Sequence, residues 1–280
     1  MKKFKKALAL LLVAVMVCVL AACGGKDKET SENVSNPETE NVDLDLSKAV
    51  ETIKENGTIT MVTNAEFEPF EYKEDGNIVG IDIEIAGRIA EKLEVALKIT
   101  DIAFESCIPS VQSGKADFAA AGMTVDEDRL KNVDFTDSYF NASQAIIVAV
   151  DSDITGPADL EGKKVGVQQG TTGDKYCTNE DGKSEFKVGE VSRYSKGMDA
   201  VADLMNGRID AVVIDNFPAE KLVEKNADKV QKLEEALTEE EYAIAVAKGS
   251  NLTAEINAVL KELKESGELE AIVSRYISED

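Results

Sequence analysis

The chain has 280 residues, 31 basic and 54 acidic, with a formal net charge of −23 and no histidine. Without imidazole there is no Ser-His-Asp or Cys-His nucleophile, no His-bound metal and no imidazole proton shuttle. Charge this negative argues against nucleic acid, which needs a basic footprint, and against an anionic membrane surface; no Asp/Glu run is dense enough to form an acidic patch, so the charge reads as a solubilising surface.

Met1–Lys6 is basic and Ala7–Leu20 is apolar. An apolar run of about fourteen residues is too short to span a bilayer comfortably and has the shape of a signal peptide. It ends in Leu20-Ala21-Ala22-Cys23-Gly24, which looks like the lipobox of bacterial lipoproteins. That resemblance implies a signal peptide over 1–22, cleavage before Cys23, and lipidation of Cys23 with acyl chains such as palmitate. Two chains suffice for stable anchoring. Residues 24–43 are polar and acidic, with Val34 and Val42 as the sizeable apolar side chains. They read as a disordered tether, so 23–43 is a lipidated cysteine plus linker reaching about 70 Å at most.

From residue 44 helical and extended patterns alternate. Leu44–Glu55 reads as an amphipathic helix and Thr58–Thr63 as a strand. Asp75-Gly76 is a tight-turn signal. Ile85, Ala86, Ile89, Ala90 and Leu93 form one helical apolar stripe. Ile99–Phe104 reads as a strand, Ile108–Gln112 as a helix ending at Gly114, and Ala116–Ala121 as a buried parallel strand. Leu252–Leu263 and Leu269–Ile277 read as closing amphipathic helices. Such alternation predicts α/β architecture with helix-covered parallel sheets. Ser113-Gly114-Lys115-Ala116-Asp117-Phe118-Ala119 is similar to Asn206-Gly207-Arg208-Ile209-Asp210-Ala211-Val212. Each is a helix end at glycine, a cation, an aspartate and an apolar strand, which suggests two lobes of similar build.

Several motifs together resemble one family. They are Phe67-Glu68-Pro69-Phe70-Glu71-Tyr72, Val79-Gly80-Ile81-Asp82, Ile108 to Asp117, Ala121-Gly122-Met123-Thr124-Val125-Asp126-Glu127-Asp128-Arg129, Val133-Asp134-Phe135-Thr136-Asp137, Val165-Gly166-Val167-Gln168-Gln169-Gly170-Thr171-Thr172-Gly173 and Gly207-Arg208-Ile209-Asp210. The family is the polar amino-acid substrate-binding proteins of ABC importers, extracellular solute-binding proteins of family 3. The resemblance implies a type II periplasmic-binding-protein-like fold: two α/β lobes joined by a two-strand hinge, the "Venus flytrap". Lobe 1 is then 44–142 plus 242–280 and lobe 2 is 143–241, with crossings near Asn141–Gln144 and Glu241–Ala243. The implied function is extracytoplasmic capture of a free polar amino acid and delivery to an ABC permease. The expected protein is a monomer, lipid-anchored on the outer face of the cell membrane, with no cofactor and no metal.

A buried amino-acid zwitterion needs a partner for each charge. The resemblance assigns the ligand carboxylate to Arg129, whose plainer role is a salt bridge with its acidic neighbours. Thr171 and Thr172 open a helix whose N–H groups suit an anion, or they simply cap it. Gly166, Gly170 and Gly173 do not have dinucleotide-fingerprint spacing. Asp215 ends an apolar strand, where open α/β sheets place ligands; the resemblance gives it the ligand ammonium, and its plainer role is a helix cap. Ala121, Gly122 and Thr124 align with positions that contact both ligand charges. Phe67 and Phe104 would wall the ligand side chain, or belong to the core. Asn64 and Gln168 would read the side-chain end. Both are neutral, which leans toward an uncharged polar ligand, although Glu66 is an acid nearby. Gly173 replaces a larger residue of some relatives and would leave room for a bigger side chain or a water.

Cys107 and Cys177 fall in different lobes under this division, so both are expected to be free, buried thiols. Two alternatives stand beside transport. One is a cyclic-acid dehydratase, for which Glu66 is the nameable acid; the other is a sensory module, which would continue into a transmembrane helix.

Overall fold

The apolar segments assemble into two five-stranded sheets, one per lobe. The computed structural model describes residues 45–277 apart from 180, 181, 183, 185 and 186. The expected signal peptide, Cys23 and the expected tether lie outside the described residues, among which no helix is long and apolar enough to cross a membrane.

The first sheet has the order Ala96–Asp101, Thr58–Thr63, Phe118–Ala119, Ala245–Ala247, Val133–Phe135. Thr58–Thr63 is parallel to both neighbours, and Ala245–Ala247 is antiparallel to both of its own. The second sheet has the order Glu190–Tyr194, Lys164–Gln168, Ala211–Asp215, Gln144–Ala149, Val230–Lys232. It repeats the pattern, with Lys164–Gln168 parallel to both neighbours and Gln144–Ala149 antiparallel to both. A two-stranded antiparallel ladder pairs Phe140–Ala142 with Glu240–Tyr242. Each antiparallel strand follows one strand of that ladder, so each sheet is completed by chain arriving from the other lobe.

Local sequence accounts for most of these elements. Ala211–Asp215 is buried along its whole length, as a central strand covered on both faces must be. Helix Ile81–Leu93 buries Ile85, Ala86, Ile89, Ala90 and Leu93 on one face. Asp75 (φ 49°) and Gly76 (φ 82°) join strands Glu71–Glu74 and Asn77–Val79 in a two-residue hairpin, whose turn requires positive φ at both positions.

Two expectations are corrected. The strand expected over Ile99–Phe104 runs Ala96–Asp101, and Phe104 opens a 3-10 turn. The ladder stops because Asp101 faces Thr63, the last residue of its partner. Within Ala116–Ala121 only Phe118–Ala119 is laddered, parallel on one side and antiparallel on the other. Its apolar character reflects burial at the centre of a mixed sheet.

The short repeat has a structural cause. Gly114 and Gly207 leave their helices with φ of 68° and 66°. The aspartate that follows each closes a two-way bond with a neighbouring strand. Asp117 N donates to Thr60 O (2.9 Å) while Asp117 Oδ2 accepts from Thr60 N (2.6 Å). Asp210 N donates to Lys164 O (2.8 Å) while Asp210 Oδ2 accepts from Lys164 N (2.7 Å). Asp117→Ala is expected to cost about 1–2 kcal/mol by stranding a part-buried N–H, a Tm drop of roughly 2–8 °C. The exposed Asp210 should cost less on the same thermal-unfolding assay, because water replaces its oxygen.

Candidate functional site

The predicted residues converge where parallel strands end. Asn64 follows Thr58–Thr63, Phe104 follows Ala96–Asp101, Gly122 and Thr124 follow Phe118–Ala119, and Gln168 and Asp215 are the last residues of their strands. These six line one cavity with Phe67, Arg129, Thr171, Thr172 and Glu71. Open α/β sheets place ligands at this end of their strands. The clear space is about 10 Å³, the room of about one water, so an amino acid enters only as the walls part. Ala121 is not among the lining residues; it belongs to the apolar cluster with Val62, Phe104 and Met123.

Arg129 lies in the short helix Glu127–Leu130, capped by Asp126, which accepts from Asp128 N and Arg129 N. Its side chain is 5% exposed. Nη1 donates to Thr124 O (2.6 Å) and Nη2 to Gly170 O (3.1 Å), while Nε lies 3.3 Å from Asp126 Oδ2. The guanidinium stands 5.4 Å from the Phe104 ring centroid. A guanidinium has five N–H groups, so each terminal nitrogen keeps one for a carboxylate approaching in plane. The salt bridge therefore leaves N–H groups of Arg129 unused at the cavity. Burial lowers the Arg129 pKa against the pull of Asp126, and the group remains a cation. Burial works against ionised Asp126 too, but Arg129 and Lys175 outweigh it and hold its pKa below the usual value.

Asp215 is 4% exposed and makes no capping bond to helix Asn216–Glu224. Its Oδ1 instead accepts from the Tyr242 hydroxyl. Burial, then the nearby Glu240 charge, pushes its pKa up to about 7; Tyr242, Gln144 and Arg129 oppose that rise. A buried carboxylate poised this way is stabilised by an arriving cation.

The threonines cap a helix and line the cavity. Thr171 caps helix Thr172–Thr178 by accepting from Asp174 N. Thr172 Oγ1 bonds Thr124 Oγ1 across the cleft at 3.0 Å, and Thr124 Oγ1 donates to Glu240 Oε2 at 2.5 Å. Gln168 Nε2 donates to Asn64 Oδ1 at 2.8 Å, so the two amides hold each other. Gly122 has φ 49°, and a Cβ there would sit 2.8 Å from the Phe67 ring, so only glycine lets that wall close. The space expected beside Gly173 is filled: a Cβ would meet Gln144 Oε1 at 2.8 Å and Val213 O at 3.0 Å.

Glu71 is the lining residue that sequence reasoning missed. It is fully buried, and neither carboxyl oxygen has a hydrogen-bond partner. Burial and then the neighbouring Asp82 raise its pKa well above the ordinary range. Asp82 is pushed up to about 6 by burial, although its Oδ2 accepts from Gly122 N at 2.9 Å. Glu71 was hidden by its neighbours, since Glu66, Glu68, Glu74 and Asp75 make the hairpin look like a solvated acidic face.

Ion pairs line the rim. Lys175 Nζ reaches Asp126 Oδ2 and Lys196 Nζ reaches Glu66 Oε1, each at 2.7 Å, and Lys225 pairs with Glu68. Glu66, the acid that an enzymatic reading needs, is thus engaged with Lys196. Cys107 and Cys177 are free and buried, and burial pushes both thiols up to about 12.

Residues 59–279 match the family described as bacterial extracellular solute-binding proteins, family 3. The chain is 34% identical over 276 residues to the arginine-binding extracellular protein ArtP of Bacillus subtilis (strain 168), covering 98% of each chain. It is 33% identical over 284 residues to the ABC transporter glutamine-binding protein GlnH of the same organism, covering 99% of this chain and 98% of that one. Among solved structures, the arginine-bound form of truncated ArgBP from T. maritima superposes with a TM-score of 0.70 and 43% identity, over 76% of this chain and 99% of that one. With a cleft built at the strand ends and a family match spanning nearly all the described residues, the chain belongs to the family 3 extracellular solute-binding proteins.

Proposed function

We propose that this chain captures a free amino acid outside the cytoplasm, closes two lobes over it and hands it to an ABC permease. We further infer a ligand with a cationic side chain, L-arginine before L-glutamine. The carrying observation is the charge inventory of the cavity. Arg129 answers a ligand carboxylate and Asp215 an ammonium, and Glu71, set beside Asp82 with no cation or N–H donor on it, remains as an additional buried carboxyl. Such a group is stabilised by a cation with several donors. The amides of Asn64 and Gln168 favour an uncharged ligand in the sequence; Glu71 supplies the missing acid from the hairpin. The arginine-binding names of two relatives agree.

In this reading Asn64, Phe67, Phe104, Gly122, Thr124, Gln168, Thr171 and Thr172 complete the ligand envelope. Ala121 supports it from behind. The bonds Arg129–Gly170, Gln168–Asn64 and Thr172–Thr124 cross between the lobes and yield to ligand contacts. Closure follows because both sets of groups are engaged only in the closed form. The lobes are 44–142 with 242–280, and 143–241, divided at the two-stranded ladder. Sequence at residues 20–24 supports a signal peptide ending at Ala22 and a lipid anchor on Cys23 at the cell membrane.

Calorimetric titration with L-arginine and L-glutamine tests this. Wild type is expected to prefer arginine by at least about tenfold, on the order of 1.4 kcal/mol, and Glu71→Gln is expected to reverse the order. Burial raises the Glu71 pKa, so a guanidinium that ionises it on binding should release protons beyond those released at Asp215, and the heat of arginine binding should vary with the buffer more than that of glutamine. Glutamine preference in the wild type would restore the neutral-ligand reading, and silence toward all amino acids would end the functional one.

A further inference from the structure

Tyr242 is fully buried, yet it touches both halves of the cleft. Its ring packs edge-on against Phe70, with centroids 5.0 Å apart, and lies 6.1 Å from Phe140. Its carbonyl accepts from Tyr139 N at 2.9 Å, and the residues on either side of it bond the segment 123–125, Val125 N to Glu241 O (3.0 Å) and Ala243 N to Met123 O (3.1 Å). That segment includes Thr124, whose carbonyl holds Arg129 Nη1 at 2.6 Å. At its far end the Tyr242 hydroxyl donates to Asp215 Oδ1 in the second sheet. One rigid ring thus spans from the backbone that seats Arg129 to the carboxylate at the end of the opposite lobe's strand.

We propose that Tyr242 is a positioning residue, whose hydroxyl occupies one oxygen of Asp215 and presents the other to the ligand's α-ammonium at a fixed separation from Arg129. This rests on Asp215 being the ammonium acceptor. The hydroxyl has a second consequence. Asp215 faces Glu240 from the ladder, Glu71 from the hairpin, Arg129 from its short helix and the neutral Gln144 from the adjacent strand. Burial and Glu240 disfavour an ionised Asp215, and Tyr242 is among the donors that favour it. Removing that donor leaves Asp215 protonated to higher pH.

The test is Tyr242→Phe in the full chain, titrated from pH 5.5 to 9 with L-arginine and with 5-guanidinopentanoate, which lacks the α-ammonium. L-glutamine and glutaramate replace them if wild type prefers glutamine. The expected variant binds the amino acid about tenfold more weakly at pH 7, with the acid limb of its affinity profile moved up by about one pH unit. Affinity for the deamino compound should change less than twofold. Unchanged affinity, or an equal loss at every pH and for both compounds, would overturn the proposal. Should the variant unfold, the comparison moves to Tyr242→Phe combined with Asp215→Asn, in which no buried acid is left without its donor. On the Asp215→Asn background the loss of the tyrosine hydroxyl should cost nothing further, and an undiminished cost there would also overturn it. Wild type binding neither amino acid would remove the functional reading itself, and the ammonium role with it.

Discussion

Arg129→Ala will weaken amino-acid binding by at least about 100-fold, because removing one member of a buried charge pair costs roughly 3–5 kcal/mol and each 1.4 kcal/mol is about tenfold. The loss is large because nothing nearby substitutes for the guanidinium. Lys175, the other cation beside Asp126, is already bound to that carboxylate at 2.7 Å. Arg129→Lys should recover little of the loss. An ammonium keeps the charge but not the planar fork that meets both carboxylate oxygens while other N–H groups stay on Thr124 O and Gly170 O. Calorimetry gives the affinity. An unchanged far-ultraviolet spectrum and a Tm within a few degrees of wild type would show that the fold survives. Normal affinity in a folded Arg129→Ala protein would remove the carboxylate from this end of the cleft.

The second large effect is at Asp215. Asp215→Asn should weaken binding by about 2–5 kcal/mol, the usual penalty for truncating one partner of a buried hydrogen-bonded charge pair. The pH dependence gives a sharper signature. On the proposed assignment the ligand's ammonium binds the ionised carboxylate, and burial pushes that group up to about 7. Affinity is therefore full above pH 7 and falls as pH drops through 7, by up to about tenfold per unit. Glu71 and Asp82 also carry raised pKa values, so the wild-type profile contains their titration as well. The difference between wild type and Asp215→Asn isolates the aspartate. A profile of the same shape in both proteins would place the ammonium elsewhere.

Both residues were legible before any coordinates, through motif order. Arg129 follows an Asp126-Glu127-Asp128 run that by composition alone is a surface helix start. Asp215 ends an apolar strand, which by position alone is a helix cap. The cap reading fails for Asp215, whose side chain makes no capping bond. The salt-bridge reading of Arg129 holds without excluding the other, because a guanidinium has donors to spare. Glu71 and Tyr242 were not legible. An acid in an acidic hairpin and a tyrosine in a short polar strand look like surface until the sheets are stacked around them.

Most strand and helix segments were set by the sequence alone, while partner strands fixed the extent of Ala96–Asp101 and Phe118–Ala119. The stripe from Ile85 to Leu93, the Asp75-Gly76 turn and the glycine–cation–aspartate repeat act through local periodicity, turn geometry and neighbouring backbone bonds. These are properties of a few consecutive residues. What only the tertiary structure decided is which groups are desolvated together. Glu71 lies 58 positions from Arg129 and 144 from Asp215 in the chain, and no local rule places all three in one cavity. The ladder of Phe140–Ala142 and Glu240–Tyr242 does so, by passing the chain between the lobes. Burial there raises the cost of every unpaired charge. The net charge of −23 belongs mainly to the solvated surface; the acids of the cavity, Glu71 and Asp215, are removed from water.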